Sequence, residues 1–216
     1  MNQPNSENQA PYIVIDGFLS TRYFNAIKAE VESNDFPWYY RGNITNLDRH
    51  DKSLVWSEQA AQKQQFAFGF EHAITDRSGA KLSTMYDLLS GFYNDLLDLT
   101  SAKSLAKSRL DMTTICPDGY QHTPHVDLYE PHLASVFYLT DSDGSTTLYD
   151  EKVYSFESYM NDISFDNLNV LTTVEPKENR LLIFDGEYLH TGSSPATSKN
   201  RVIINTDLRT WTSLLL

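Results

Sequence analysis

Cysteine is almost absent from this chain: Cys116 is the only one in 216 residues. A single thiol cannot form an intramolecular disulfide, and it cannot supply the ligand set of a cysteine-based zinc site. The sequence also has no apolar run near the roughly 20 residues that a membrane-spanning helix needs. Residues 1–11 lack the basic start and the apolar stretch of a signal peptide, so we expect a flexible arm there and a cytoplasmic protein.

Positive charge is scarce as well. Lys and Arg number 17 against 29 Asp and Glu, and the formal net charge is -12. A surface of this sign repels phosphate backbones, which makes nucleic acid a poor candidate partner. Hydrophobic residues still make up 40% of the chain and aromatic residues 12%. At this length that is enough to bury a core, and it argues against a disordered chain.

The first half of the chain has helical patterning. Apolar residues recur at helical spacing in 19–33 and in 81–100, and both segments are predicted to be helices with one core-facing side. A short strand is predicted before them, at 12–15. The stretch 35–75 is irregular and rich in aromatic residues. It is interpreted either as packing beneath a long connection or as a loop that faces a substrate.

The second half changes to short β-type runs separated by turn residues. The predicted strands are 109–116, 134–140, 145–149, 170–174, 180–184 and 201–207. Evenly spaced short strands are typical of a sandwich or a barrel. Helices followed by strands predict an α+β fold. We expect one domain at 12–216, with helical support at 12–105 and a barrel core at 106–210.

A possible metal-binding pattern begins at His125. Asp127 follows it at i+2, and residues at this spacing point to the same face of a strand. His190 lies beyond the later run 180–186, and a barrel that folds back would bring it to the same point. Two histidines and one carboxylate leave coordination positions open on a metal ion. A lone H-x-D triplet is common by chance, however, and His125 taken alone fits a histidine at the edge of a core.

The remaining polar candidates have weaker patterns. Arg201 opens the last apolar strand; if buried it would hold a carboxylate through paired hydrogen bonds, and if exposed it would form a surface salt bridge. His122 competes with His125 but has no acid at i+2, because residue 124 is proline. His132 is expected at the rim of the site. His50 and His72 have no partner that the sequence identifies.

Taken in order, these motifs resemble the Fe(II)/2-oxoglutarate-dependent dioxygenases. They are H-V-D at 125–127, P-x-x-N-R-L-L-I-F-D-G at 176–186, H-T-G at 190–192 and R-V-I-I-N at 201–205. The sequence is most similar to the prolyl 4-hydroxylase-like group of phage and bacterial type. The opening I-V-I-D-G-F-L-S at 13–20, followed by a helix, is similar to the start of that group's domain. The resemblance extends over about 12–210.

This resemblance implies a fold and a set of site residues. The fold is a double-stranded β-helix, a cupin-like jelly-roll barrel with N-terminal supporting helices. Fe(II) would be held by His125, Asp127 and His190. Arg201 would anchor the distal carboxylate of 2-oxoglutarate, assisted by one hydroxyl from Tyr138, Thr113 or Tyr120. Ascorbate is a further candidate cofactor.

The resemblance also implies hydroxylation of an organic substrate by dioxygen, with release of succinate and CO2. Peptidyl proline, a free amino acid and another small metabolite are the candidate substrates; a cupin-like barrel that binds a ligand without turnover is the alternative. The residues predicted to contact substrate are Trp38, Tyr129 and His132. The aromatic insert 150–169 is interpreted either as a lid or as an excursion with its own small hydrophobic cluster.

Overall fold

The computed structural model describes residues 11–45 and 64–211. Most of the predicted arm and His50 lie outside the described residues. The strands are β1 Tyr12–Asp16, β2 Tyr39–Arg41, β3 Gly69–Thr75, β4 Ser104–Thr114, β5 Tyr120–Gln121, β6 His132–Tyr138, β7 Thr146–Lys152, β8 Val170–Val174, β9 Arg180–Asp185, β10 Tyr188–Ser194 and β11 Asn200–Arg209. The α-helices are α1 Thr21–Val31, α2 Met85–Leu88, α3 Ser90–Thr100 and α4 Phe156–Asp162, with 3-10 turns at Gln64–Phe66 and Phe165–Asn167.

The strands form two antiparallel sheets. The larger has the order β1-β9-β6-β11-β4-β3-β2, and the smaller has the order β5-β10-β7-β8. The eight strands β4 to β11 contribute four to each sheet, which is the arrangement of a double-stranded β-helix. The predicted fold class, an α+β jelly-roll barrel with helices before it, is confirmed.

Helices α1, α2 and α3 cover one face of the larger sheet. Helix α1 begins after Ser20, whose hydroxyl accepts a hydrogen bond from the Tyr23 amide, and it buries Phe24 and Ile27 as predicted. The Phe24 ring lies 6.1 Å from that of Phe137 on β6. The rings of Phe137 and Phe92 on α3 are 5.1 Å apart. These contacts leave the other face of the sheet to form the barrel interior.

The helix predicted over 81–100 is not continuous. It breaks between α2 and α3, where the Tyr23 hydroxyl enters the helical hydrogen-bond ladder. This hydroxyl donates to the Leu88 carbonyl at 2.7 Å and accepts from the Phe92 amide at 3.0 Å. A side chain inserted in this way is a recognised cause of helix interruption. Met85, Leu89, Phe92 and Leu96 are buried as the periodicity predicts, but Leu82 is exposed and precedes α2. The break depends on a residue 65 positions away.

Alternation along β6 separates the helix-facing core from the core inside the barrel. Phe137 faces the helices, whereas Val136 and Tyr138 belong to a second cluster together with Leu148 of the smaller sheet. All seven residues of β6 are buried, as expected for a strand covered on both faces. This inner cluster fills the barrel on the β6 side and leaves space near β4 and β11.

Two interpretations of long connections need revision. The stretch 35–75 is not simply irregular, because β2 and β3 extend the larger sheet beyond β4. The insert 150–169 contains α4 and packs through Tyr159 against Val126 and Leu189. It therefore has the small hydrophobic cluster that was one of its two interpretations.

None of the helices in 11–45 and 64–211 is long and apolar enough to cross a bilayer.

Candidate metal centre

Backbone pairing brings His125 and His190 together. The His125 amide donates to the His190 carbonyl at 2.9 Å, and the His190 amide donates to the His125 carbonyl at 3.0 Å. These bonds form an isolated β-bridge, so His125 lies in an extended segment rather than in a regular strand. The two imidazole rings lie 4.7 Å apart. The fold-back expected for His190 is thus produced by one local pair of hydrogen bonds.

Asp127 completes a compact group with the two histidines. One ligand atom from each of His125, Asp127 and His190 lies within 4.8 Å of the other two. His190 Nε2 is 3.3 Å from Asp127 Oδ2. The side chains of both residues are almost fully buried. The three predicted metal ligands therefore converge at one point inside the barrel.

The orientation of both rings suits metal binding. Nδ1 of His125 donates to the Thr123 carbonyl at 2.9 Å, and Nδ1 of His190 donates to the Tyr188 carbonyl at 3.1 Å. In each ring Nε2 is then the nitrogen left for a metal ion. Burial, reinforced by the neighbouring His190, lowers the pKa of His125 to about 4, so this ring is neutral at pH 7. Two imidazoles and a carboxylate fit Fe(II) as a facial set of three ligands.

Each oxygen of the Asp127 carboxylate has its own neighbours. Oδ1 lies 3.6 Å from Lys107 Nζ and 3.7 Å from Arg109 Nη2. Oδ2 faces His190 and accepts a hydrogen bond from Asn205 Nδ2 at 3.3 Å. Burial alone would raise the pKa of Asp127, but Lys107, His190 and Arg109 together hold that pKa well below its usual value. The carboxylate is therefore ionised, with Oδ2 directed at the histidines.

Arg201 lies further along the same cleft. It is 5% exposed, and its Nη2 donates to Thr146 Oγ1 at 2.7 Å. The Tyr138 hydroxyl also donates to Thr146 Oγ1, at 2.7 Å. A Cβ at Gly192 would come within 3.2 Å of Arg201 Nη1, so the glycine leaves room for the guanidinium. Of the two interpretations of Arg201, the buried position is the one observed, and the surface salt bridge is wrong.

Unpaired polar atoms surround this guanidinium. Arg201 Nε, Thr113 Oγ1 and His122 Nδ1 are buried and have no hydrogen-bond partner within the described part of the chain. Thr113 lies directly opposite Arg201 in the β4–β11 pairing, and all three residues line the cleft. Buried polar groups normally have partners. A carboxylate between Arg201 and Thr113 would satisfy them, so these residues fit one end of 2-oxoglutarate.

Solved structures with the same architecture were found by structural comparison. A prolyl hydroxylase from Trichoplax adhaerens, solved with a hypoxia inducible factor oxygen degradation domain peptide fragment, has a TM-score of 0.57 at 12% identity, over 93% of this chain and 84% of its own. The fold is that of the 2-oxoglutarate–Fe(II) oxygenases.

Two further structures with this oxygenase fold differ from each other in their chemistry. A prolyl-4-hydroxylase from Pseudomonas putida has a TM-score of 0.54 at 14% identity, over 93% of this chain and 94% of its own. The α-ketoglutarate-dependent epimerase SnoN of nogalamycin biosynthesis has a TM-score of 0.57 at 14% identity, over 94% and 79%. No family model and no curated protein matches the sequence. The resemblance predicted from the motifs is confirmed at the level of the fold.

Within the oxygenase fold, the three hydroxyl candidates near Arg201 have different positions. Thr113 lines the cleft. Tyr138 contacts the arginine indirectly, through Thr146, with its ring 5.8 Å from the guanidinium carbon. Tyr120 packs with Cys116 in a separate apolar cluster. Sequence reasoning missed Thr146, whose place beside Arg201 results from strand pairing rather than from any local pattern.

The substrate-contact predictions agree less well with the structure. His132 is not a rim residue: it is fully buried, with Nε2 3.9 Å from Asp207 Oδ1 and its ring against Gly186. Trp38 packs on the helix-facing side of the larger sheet, with its ring 5.1 Å from that of Phe36. It therefore lies outside the cleft, because the sheet separates the two sides.

Three other residues considered in the sequence have defined contacts in the structure. Tyr129 is 41% exposed and packs against Phe156 of the insert, with ring centroids 5.8 Å apart. His122 lies in the cleft, with Nε2 3.0 Å from Ser194 Oγ, but outside the three-residue group. His72 bridges the Pro37 carbonyl and the Ser83 hydroxyl, at 2.9 Å and 2.7 Å.

Sequence reasoning also missed the polar residues of β4 near Asp127. Lys107, Arg109 and Asp111 alternate with apolar or small residues, so period-two spacing places all three on the inner face together with Thr113. Four polar residues on the inner face of one strand were a usable signal. The predicted strand began at 109, two residues too late to include Lys107.

Proposed function

We propose that this protein is an Fe(II)- and 2-oxoglutarate-dependent dioxygenase that hydroxylates an organic substrate and releases succinate and CO2. The observation that carries the proposal is the convergence of His125, Asp127 and His190 within 4.8 Å in one cleft with buried Arg201. Fe(II), when bound with 2-oxoglutarate and dioxygen, supplies the oxidising power for hydroxylation.

The three ligands are held ready for a metal ion. The carbonyls of Thr123 and Tyr188 fix the rings of His125 and His190 by accepting from Nδ1. Asn205 fixes Asp127 Oδ2 beside His190. Neighbouring groups that orient ligands in this way reduce the reorganisation needed on metal binding.

Arg201 and its neighbours would orient 2-oxoglutarate. The guanidinium is held through Thr146, leaving Nε and further N–H groups for the distal carboxylate. The Thr113 hydroxyl opposite supplies one more donor. Because Arg201 and the histidines line the same cleft, a diacid anchored at Arg201 extends towards the metal ligands. The burial of these side chains excludes water from the 2-oxoglutarate subsite.

The substrate is an organic molecule whose class the fold leaves open. Prolyl hydroxylases are among the similar structures, which supports a peptidyl proline; an epimerase is among them too, which supports a small molecule. A fold does not determine the substrate. Ascorbate is proposed as an auxiliary reductant.

Succinate formation from 2-oxoglutarate tests the proposal. We expect it to require added Fe(II), and we expect the anaerobic Fe(II) protein to gain visible absorption when 2-oxoglutarate is added. His190→Ala removes one ligand and is expected to abolish both signals. His72→Gln is the matched control, since His72 binds Pro37 and Ser83 away from the cleft. Absence of both signals from the wild-type protein would favour a binding barrel without turnover.

A further inference from the structure

A second buried arginine lies beside the predicted metal ligands. Arg109 is 5% exposed and lines the cleft together with His125 and His190. Its Nη2 is 3.7 Å from Asp127 Oδ1, and its Nη1 is 4.0 Å from Glu71 Oε2. Both distances exceed hydrogen-bonding range. Within the described part of the chain, neither amino group of Arg109 donates a hydrogen bond.

The rest of the Arg109 side chain is held firmly. Its Nε donates to Asp111 Oδ2 at 2.8 Å. Glu71, behind it, accepts a hydrogen bond from Arg41 Nη2 at 2.8 Å. The bond to Asp111 orients the guanidinium through Nε and leaves the two amino groups available as a fork. Such a fork matches the geometry of a carboxylate.

The carboxylates near Arg109 are already engaged. Glu71 has its own partner in Arg41, and Asp111 accepts from Arg109 Nε rather than from the amino groups. Asp127 Oδ1 is shared by Arg109 and Lys107, and Asp127 is also a predicted metal ligand. A metal ion on Asp127 would draw its negative charge away from both cations. The positive charges of Arg109 and Lys107 would then favour the binding of one further anion on this side of the cleft.

Arg109 and Arg201 lie at different levels along the β4–β11 pair. Arg201 pairs with Thr113 across the sheet, and Asn205 pairs with Arg109. The two arginines are thus four residues apart in register, which is roughly 13 Å of strand. The guanidinium groups also have different partners, Asp111 for Arg109 and Thr146 for Arg201. The metal ligand Asp127 adjoins only the Arg109 level, through Asn205 and Arg109.

We propose that Arg109 binds a free carboxylate of the substrate, so that the substrate is a small carboxylic acid such as a free amino acid. This inference rests on the proposed function and narrows its substrate class. The depth of Arg109 favours a small acid over a polypeptide, because the carboxylate must enter the cleft beside the metal ligands. Arg109 is then a specificity-determining residue, and Arg201 remains the anchor for 2-oxoglutarate.

Binding to a redox-inert protein tests the proposal without turnover. The probe is the Mn(II)-loaded protein with saturating 2-oxoglutarate, titrated calorimetrically with the free L-amino acids and C4 to C6 dicarboxylic acids. Each acid is paired with its carboxamide. We expect at least one acid to bind at least about 30-fold more tightly than its amide, the lower bound for losing one partner of a buried, hydrogen-bonded charge pair. The same acid should stimulate succinate formation by the Fe(II) protein.

Variants separate recognition from a structural role. Arg109→Met should reduce binding of the acid to the level of its amide. Arg109→Lys keeps the charge without the fork and should bind the acid at an intermediate level, which guards against a folding defect in the methionine variant. Lys177→Met makes the same change in net charge at an exposed site and should bind the acid as the wild-type protein does.

Some outcomes would overturn the substrate class and leave the proposed function standing. They are succinate formation with no preference for acids over amides, binding of none of the acids, or an Arg109→Met variant that loses only affinity for Mn(II) or 2-oxoglutarate. The last result would make Arg109 a positioning residue for Asp127. Failure of the proposed function would appear instead as absence of 2-oxoglutarate binding and of succinate under every condition.

Discussion

Replacing Arg201 with methionine should specifically weaken 2-oxoglutarate binding. Arg201 is 5% exposed, and one of its N–H groups donates to Thr146, so the remaining donors are available to the distal carboxylate. Truncating one partner of a buried charge pair costs about 2–5 kcal/mol. Since 1.36 kcal/mol is a factor of ten, half-saturation should need roughly 30-fold to several-thousand-fold more 2-oxoglutarate. Asn205 is four residues further along β11, so metal affinity should stay within about threefold.

Titration of succinate formation against 2-oxoglutarate measures this effect, and calorimetry with Mn(II) measures metal affinity. Lys199→Met is the matched control, because Lys199 is an exposed cation two residues before Arg201. An unchanged 2-oxoglutarate requirement in Arg201→Met would refute the anchor assignment. A matching loss of metal affinity would point instead to general damage to the barrel.

Three further substitutions test structural claims. Asp143→Ala removes the acceptor of hydrogen bonds from residues 196–198. It should lower the free energy of unfolding, measured by chemical denaturation, by about 1–3 kcal/mol. Because these bonds lower the pKa of Asp143 against the effect of burial, the difference from wild type should hold above pH 4 and shrink below it. Tyr23→Phe should lower Tm by about 2–4 °C, whereas Tyr154→Phe at an exposed tyrosine should not. Burial lowers the pKa of His122 to about 3, so the metal-free protein should lose stability as pH falls below 6.5 towards 3, and His122→Gln should flatten that slope.

Local patterns predicted the elements whose cause is local. Helix α1 agrees with its prediction because the Ser20 cap and the stripe of Phe24, Ile27 and Val31 lie within one segment. Strand β8 agrees at both ends with the predicted 170–174. The break between α2 and α3 was missed because its cause, the Tyr23 hydroxyl, lies on another helix.

Strand β10 shows why one essential element escaped prediction. Its sequence from Tyr188 to Ser194 is mostly small and polar, so it lacks the alternation that identifies strands. It forms because β7 pairs with it on one side and β5 on the other. His190 was nevertheless identified, since the ordered motifs do not depend on assigning its secondary structure.

The metal ligands were predictable and their surroundings were not. His125 and Asp127 are only two positions apart in the sequence, and the motif order added His190. Thr146 and Asn205 come from strands whose register with Arg201 and Asp127 is set by sheet pairing over long separations. Their roles as hydrogen-bond partners appear only once the two sheets face each other.

The uneven interior of the barrel argues for a ligand site over a purely structural role. On the β6 side, Val136 and Leu148 pack in an apolar cluster, which is what stability alone favours. On the β4 side, the side chains of Arg109 and Asp127 are buried beside the partly buried Lys107. Desolvating each such charge costs several kcal/mol, and apolar replacement of buried ion pairs is often neutral or stabilising. A barrel that served only to fold would gain nothing from this cluster, whereas a metal ion and anionic ligands between Asp127, Arg109 and Arg201 would offset its desolvation.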